Sequence, residues 1–452
     1  MKTRHLTLSI CFLALSLASA GQSVVGSYFF ETSIQRNKLN AAFAPRNSFV
    51  SVPAIGDIGI GSVSNVGLSN FFFPKDGRLL PYLNKGVSLD EFTNSIPDAP
   101  FEDLGLNVDL LSLGFSVGRG GYLTIGASVV GQAGIASPKD LYIFPKKGMS
   151  GGNDDVYDLS GTGVNLGAYS QLSVGYSQEL FKGLSLGARV KVLVGAAGMT
   201  AGISDGSRIT FTPDKVAAGI NAEGYVSGVA FDSSTMQVDF STLTPVNGFG
   251  MAFDLGAEYR MTFNSFVSGL NLSFAVNDLG WLKYKNASKI TAGGEVSYEA
   301  GTISVAGLLG DEASDPFREV KEQVDKLIGS VDVRRADDFK YDIVPSFYAG
   351  LEVPFMKEVF SLGLLYSNVR KQSHLTASLN ISPARWFNLG ANYTFLGPAN
   401  LYGAYLELIP KAGVGLFLAA ETSSFKVNSW MIPVDNLSFN ARAGLNIVFG
   451  GK

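Results

Sequence analysis

The chain ends in "NLSFNARAGLNIVFGGK", and this ending alternates with a period of two. Leu437, Phe439, Ala441, Ala443, Leu445, Ile447 and Phe449 are apolar. Between them stand Ser438, Asn440, Arg442, Gly444 and Asn446, with Val448 as the one exception. Such a pattern describes a β-strand with one apolar and one polar face. A soluble domain turns the apolar face into a core. A barrel of the outer membrane turns it to lipid and keeps the polar face inside.

Composition favours lipid. Charged residues make up 16% of the 452 positions, against about 25% in a typical soluble domain. Glycine occurs 53 times and aromatic residues reach 12%. The same alternation recurs along the chain, at the lengths a tilted membrane-spanning strand needs. In "LSLGARVKVLV" (184–194) the polar face carries Arg189 and Lys191, and in "MAFDLGAEYR" (251–260) it carries Asp254 and Glu258. "HLTASLNIS" (374–382) and "FNLGANYTF" (387–395) repeat it. Tight turns such as "GRGG" (118–121) and "SPAR" (382–385) join these runs.

The expected fold is an all-β transmembrane antiparallel barrel of about fourteen strands, with twelve to sixteen in range. Strands are placed near 107–117, 121–134, 163–177, 183–197, 249–260, 269–279, 288–305, 339–353, 358–369, 373–383, 386–396, 401–409, 414–421 and 437–449. Segment 48–66 is a further candidate, and 207–240 is a long loop or an extra hairpin. "SLDEFTNSI" (88–96) opens with a Ser88/Glu91 capping box and reads as a short helix. "DPFREVKEQVDKLIG" (315–329) reads as a second helix, capped at Asp315 and ended at Gly329.

The first twenty residues read as an export signal: Lys2 and Arg4, an apolar run, and Ala18-Ser19-Ala20 as a cleavage site. Cys11 is the only cysteine and lies within this signal, so the mature chain has no thiol chemistry. The formal charge of −4 becomes about −6 without Lys2 and Arg4, which suits no nucleic acid. The expected location is the outer membrane, after Sec-type export. Residues 21–47 lack a sustained period of two, yet carry Tyr28, Phe29, Phe30, Ile34, Leu39 and Phe43. Such side chains need burial, and the lumen is the nearest shelter. There Arg36, Lys38 and Asn40 could meet Asp254, Glu258 and Asn440. The expected organisation is therefore a signal (1–20), a lumen segment acting as a hatch (21–47), and a barrel (48–452).

The terminal Arg442, Gly444, Ile447 and Phe449 fit the last-strand signal recognised by the outer-membrane assembly machinery. The mature chain also resembles a family of outer-membrane barrels of Bacteroidetes, which in turn resemble the long-chain fatty-acid transporter (FadL-like) superfamily. The residues that carry the resemblance are "SIQRNKLNAAFAPRNSFVSVP", "LLPYLNKGVSLDEF", "LNISPARWFNLGANY" and "IPVDNLSFNARAGLNIVFG". In those transporters a Leu-Asn-Pro-Ala motif lies inside the barrel as a hatch. Here Leu39, Asn40 and Ala42 match it, while Ala41 replaces the proline.

Lumen-lining candidates are Arg189, Lys191, Asp254, Glu258, His374, Glu407 and Arg442. No cofactor or metal set emerges, although "NDD" (153–155) and "RADD" (335–338) leave weak calcium binding by loops open. His374 is the one imidazole of the mature chain. Its neighbour Ser373 points to the opposite face, so the two form no catalytic pair, and the chain reads as a non-enzyme. Two functions stay open. One is a passive channel or transporter for small or amphipathic molecules with a plugged lumen. The other is a non-transporting partner, either a secretion shuttle or a scaffold for surface or secreted proteins. The expected associates are outer-membrane lipid, the assembly machinery, and a small hydrophobic or amphipathic ligand.

Overall fold

A computed structural model describes residues 25–148, 155–212, 215–232, 237–299, 331–336, 338–397, 400–423 and 438–449. The expected signal (1–20), the helix at 315–329 and part of "NDD" lie outside these residues.

Fourteen antiparallel strands close into a barrel. Strand β1 comes in two pieces, Ser48–Ser51 and Ile58–Ser64. There follow β2 (Phe101–Val117), β3 (Gly121–Ala136), β4 (Gly163–Phe181), β5 (Leu184–Ile203), β6 (Gly248–Thr262) and β7 (Gly269–Lys285). The ring continues with β8 (Ser346–Phe355), β9 (Phe360–Val369), β10 (Gln372–Ala384), β11 (Phe387–Leu396), β12 (Leu401–Leu408), β13 (Gly413–Ser423) and β14 (Phe439–Phe449). Each strand pairs with its chain neighbour. Closure comes where β1 meets β14, with Ser48 opposite Phe449 and Ile58 opposite Ala443. Closure leaves the wall itself without a free edge, the requirement for strands in hydrocarbon. Among the described residues no helix is long and apolar enough to cross a membrane.

The face assignment follows the strand period. On β5 and β6, Leu186, Val190, Phe253, Leu255 and Tyr259 are exposed on the outside, while Arg189, Lys191, Asp254 and Glu258 are buried inside. The outward residues form the lipid band of a membrane barrel. Short turns join the strands at the end where the chain enters β1 and leaves β14. By the usual polarity of such barrels this end is periplasmic, and the longer loops are extracellular.

Two strand expectations change. The described part of segment 288–305 is no wall strand. Ser288–Glu299 instead pairs with Lys215–Ser227, and that pair continues the top of β5 beyond the wall. Alternation gives a strand and its faces but does not choose its partner. The fourteenth wall strand is β1, from the candidate segment 48–66. Its pattern is broken because residues 52–57 bulge out of the sheet, with Ala54 in the left-handed region (φ 62°). The candidate region 207–240 contains a hairpin, Arg208–Phe211 against Lys215–Ser227.

Outside the wall, helix α1 (Leu89–Ser95) is capped as its sequence suggests, with the Glu91 amide donating to Ser88 Oγ at 3.1 Å. It packs Phe92 and Ile96 against Phe73 and Val87 in a small apolar core. Helix α2 (Asp140–Lys147) lies beside it, and Tyr142 packs on this core.

Candidate functional site in the barrel lumen

Residues 25–47 run inside the ring of strands. They touch the wall on many sides: Glu421 on β13, Ser273 on β7, Asn388 on β11, Tyr405 on β12, and Glu258 on β6. Tyr28, Phe30, Leu39 and Phe43 are almost wholly buried, and each contributes about 1.5–3 kcal/mol by leaving water. The Tyr28 ring meets Phe29 and Phe43 edge-on at centroid distances of 5.0 Å. Phe30 stacks on Tyr405 at 5.3 Å. The wall is shaped for this segment. Gly187 on β5 lies opposite Gly256 on β6. A Cβ on Gly187 would run into the Ala41 carbonyl, and one on Gly256 into the Asn40 side chain.

Charge fastens the segment at four places. Arg36 pairs with Glu258 at 2.9 Å and lies over the Phe43 ring. Lys38 reaches Asp57 in the β1 bulge and Asp109 on β2, the latter at 2.5 Å. Arg189 donates to the Asn37 carbonyl at 2.8 Å. Glu31 pairs with both Arg46 and Arg260. Burial alone would raise the Glu31 carboxyl, but Arg260, Arg46 and Arg36 around it hold it below the usual carboxylate range.

Besides Glu258, which pairs with Arg36, the predicted lumen residues fall into three groups. Arg189 and Lys191 share Asp254 at 2.9 and 2.8 Å, and Lys191 also meets Asp278 at 2.6 Å. Arg442 forks onto Asp57 with two contacts of 2.6 Å. Glu407 and His374 are buried apart from these clusters. Glu407 accepts from Asn388 at 3.1 Å, whereas His374 Nε2 has no hydrogen-bond partner among the described residues. Ser373 faces away and bonds Tyr366 at 3.0 Å.

Of the segment residues, Leu39 and Ala42 are buried, and Asn40 donates to the carbonyls of Ala257 and Phe274, both at 3.2 Å. Asn440 bonds Glu421 at 3.2 Å, so it is not the partner of Arg36, Lys38 or Asn40. On β14, Gly444 faces the β1 bulge, and Ile447 and Phe449 are exposed on the lipid side.

Sequence reasoning missed Asp57, Asp109, Glu352 and Glu421. The two aspartates lie at irregularities, where the period of two no longer reports the face. The two glutamates sit among amides: Asn271 donates to Glu352 at 2.8 Å, and Asn392 to Glu421 at 2.8 Å. The inward asparagines of β7, β11 and β14 were the available signal.

Three cavities follow the barrel axis. An outer vestibule of about 420 Å³ and an inner chamber of about 190 Å³ share Gln132, Tyr169, Asp278 and Arg370 in their linings. A third, of about 240 Å³, opens among Glu31, Arg46, Arg260 and Lys357 at the periplasmic end. Ile34, Asn37 and Lys38 border the chamber, while Phe29, Glu31 and Arg36 border the periplasmic cavity.

In structure the chain is similar to the Ralstonia pickettii toluene transporter TbuX, at 10% identity and a TM-score of 0.44, covering 96% of this chain and 97% of that one. It is also similar to the deltaS2S3 mutant of the TodX monoaromatic hydrocarbon channel, at 11% identity and a TM-score of 0.44, with the same coverage. A Pseudomonas aeruginosa FadL homologue is similar at 12% identity and a TM-score of 0.40, over 96% of both chains. No curated protein matches the sequence. A family model matches residues 41–420, and the chain accordingly belongs to the family described as "Family of unknown function (DUF5723)".

Proposed function

We propose that this barrel is a passive outer-membrane channel or transporter for small or amphipathic molecules, closed at rest by its N-terminal segment. One observation carries the reading: residues 29–38 stand between the inner chamber and the periplasmic cavity, and they touch walls on many sides of the ring. A barrel meant only as a scaffold needs no chain inside it and no cavities on either side of that chain. The segment is held by side-chain contacts and adds no strand to the wall, so it can leave or shift without opening the sheet. Passage then needs the release of its ionic contacts: the half-exposed pairs of Glu31 are individually modest, and the buried Arg36–Glu258 pair is the costlier one to break.

The test is deletion of residues 21–44. The truncated protein should still assemble as a heat-modifiable barrel, and its single-channel conductance should rise several-fold. A folded truncation with unchanged conductance would leave the scaffold reading in its place.

A further inference from the structure

We propose that Arg370 is the selectivity residue of the outer passage, and that the solute it admits is a small organic anion. The inference rests on the transport reading above and names its substrate class.

Arg370 lies in the two-residue turn between β9 and β10, where both it and Lys371 adopt left-handed backbone angles (φ 51° and 67°). Asparagine and glycine are the usual occupants of such turns, because a Cβ disfavours positive φ: glycine has none, and the short asparagine side chain offsets the cost by local hydrogen bonding. Arginine here, like Met356, Lys357 and Glu358 between β8 and β9, bears the cost of positive φ. The side chain runs inward across the lumen. Its Nη1 donates to the Leu104 carbonyl at 3.0 Å and stands 3.8 Å from Asp103. Both residues are on β2, seven strands from β9 in the ring of fourteen and therefore on the opposite wall.

The guanidinium thus bars the neck between vestibule and chamber, and it lines both. Gln132, Tyr169 and Tyr341 complete the neck, with Tyr341 donating to Gln132 at 3.4 Å. These groups are neutral. Asp278, also at the neck, is engaged by Lys191. Arg370 has five donor N–H groups, and one carbonyl with one distant carboxylate leaves most of them for a solute. A carboxylate or sulfonate entering the vestibule can take the guanidinium from Leu104 and Asp103 by a bidentate contact, which is stronger than either. That exchange opens the neck.

The chamber beyond agrees in sign. Lys38, Arg189, Lys191, Arg370 and Arg442 line it, against Asp109 and Asp278. Counting the ion-pair partners behind the lining, Asp57, Asp254 and, beside Arg370, Asp103, brings the balance to zero, so the excess is confined to the lining itself. The vestibule itself carries one acid in excess, with Asp103, Asp278 and Asp342 against Arg370 and Lys371, so the preference is set at the neck, by Arg370. Asn107, Ser112, Thr124, Gln171 and Ser173 offer the chamber hydrogen bonds. At about 190 Å³ it holds a compact polar solute.

The test uses the full chain with Gln171→Cys, which places one thiol on the chamber lining. Two methanethiosulfonate reagents of similar size, one bearing a sulfonate and one a trimethylammonium group, are compared, with rates normalised to free cysteine. With Arg370 present the sulfonate reagent should react about 10-fold faster, the scale of electrostatic focusing in a narrow site. Arg370→Gln should bring the ratio near one, and Arg370→Lys should retain most of it. Heat-modifiability verifies the fold of each variant. A ratio unmoved by Arg370→Gln, a preference for the cationic reagent, or a thiol that neither reagent reaches would each overturn the proposal. A barrel that opens on deletion of 21–44 yet has no charge ratio keeps its transport role and loses this selectivity.

Discussion

Replacing Asp254 by alanine should cost the barrel about 3–5 kcal/mol, the scale for leaving buried charge without its partner. Asp254 is fully buried and stands between Arg189 and Lys191, each within 3 Å. Its second oxygen also accepts the Asp278 amide at 2.9 Å, holding the β7 irregularity that lets Asp278 reach Lys191. Removal therefore leaves Arg189 to Asn37 and Lys191 to Asp278 alone. The loss should appear as a lower urea midpoint for unfolding in lipid vesicles. The companion variant Arg189→Met/Lys191→Met/Asp254→Leu removes all three charges together and should recover most of the stability, because well-packed apolar residues replace a buried ionic cluster at little cost. An Asp254→Ala barrel as stable as the parent would mean that water reaches this cluster freely. The charge pattern would then belong to an open aqueous pore.

How much of this could be read from the chain depends on the kind of regularity involved. The period of two in β5 and β6 assigns Arg189, Lys191, Asp254 and Glu258 to one face, and the lipid exposure of Leu186 and Phe253 makes that face the lumen. Arg36 with Glu258 was readable as opposite charges that needed shelter. Lys38 was not, because its partners sit where regularity fails: Asp57 in the β1 bulge, and Asp109 at the register shift of β2. A one-residue slip reverses every inward and outward assignment, so the sequence hides the contacts that form at bulges. The cross-lumen reach of Arg370 was hidden for a different reason. A turn of two residues reads as a connection, and only closure of the ring shows which wall lies opposite.

Deletion of residues 447–452 should abolish the barrel, and Phe449→Ala should reduce assembled protein in cells about tenfold, for different reasons. The periplasmic stub of β1, Ser48–Ser51, is cut off from the rest of its strand by the bulge. On one side it pairs with Asn446–Phe449, and on the other only Phe49 and Val50 pair, with Gly114 and Leu113. Losing Ile447–Phe449 strips that stub of most of its ladder and also frees Gly413 and Val414 of β13. Unpaired backbone groups in hydrocarbon cost several kcal/mol each, so the seam cannot close. Gly444 lies at the same seam, where a Cβ would strike the Gly56 carbonyl. The glycine in the terminal pattern thus has a packing reason of its own. Phe449, by contrast, is 43% exposed on the lipid face, and its truncation removes little buried contact. Its effect should come from recognition of the last strand during assembly. Refolding into detergent separates the two: Phe449→Ala should refold almost as the parent does, while the deletion should fail in cells and in detergent alike. A deletion that yields a normal heat-modifiable barrel would show that β1 and β14 are not the closing seam. A Phe449→Ala chain that fails equally in detergent would move that residue from assembly signal to structural contact.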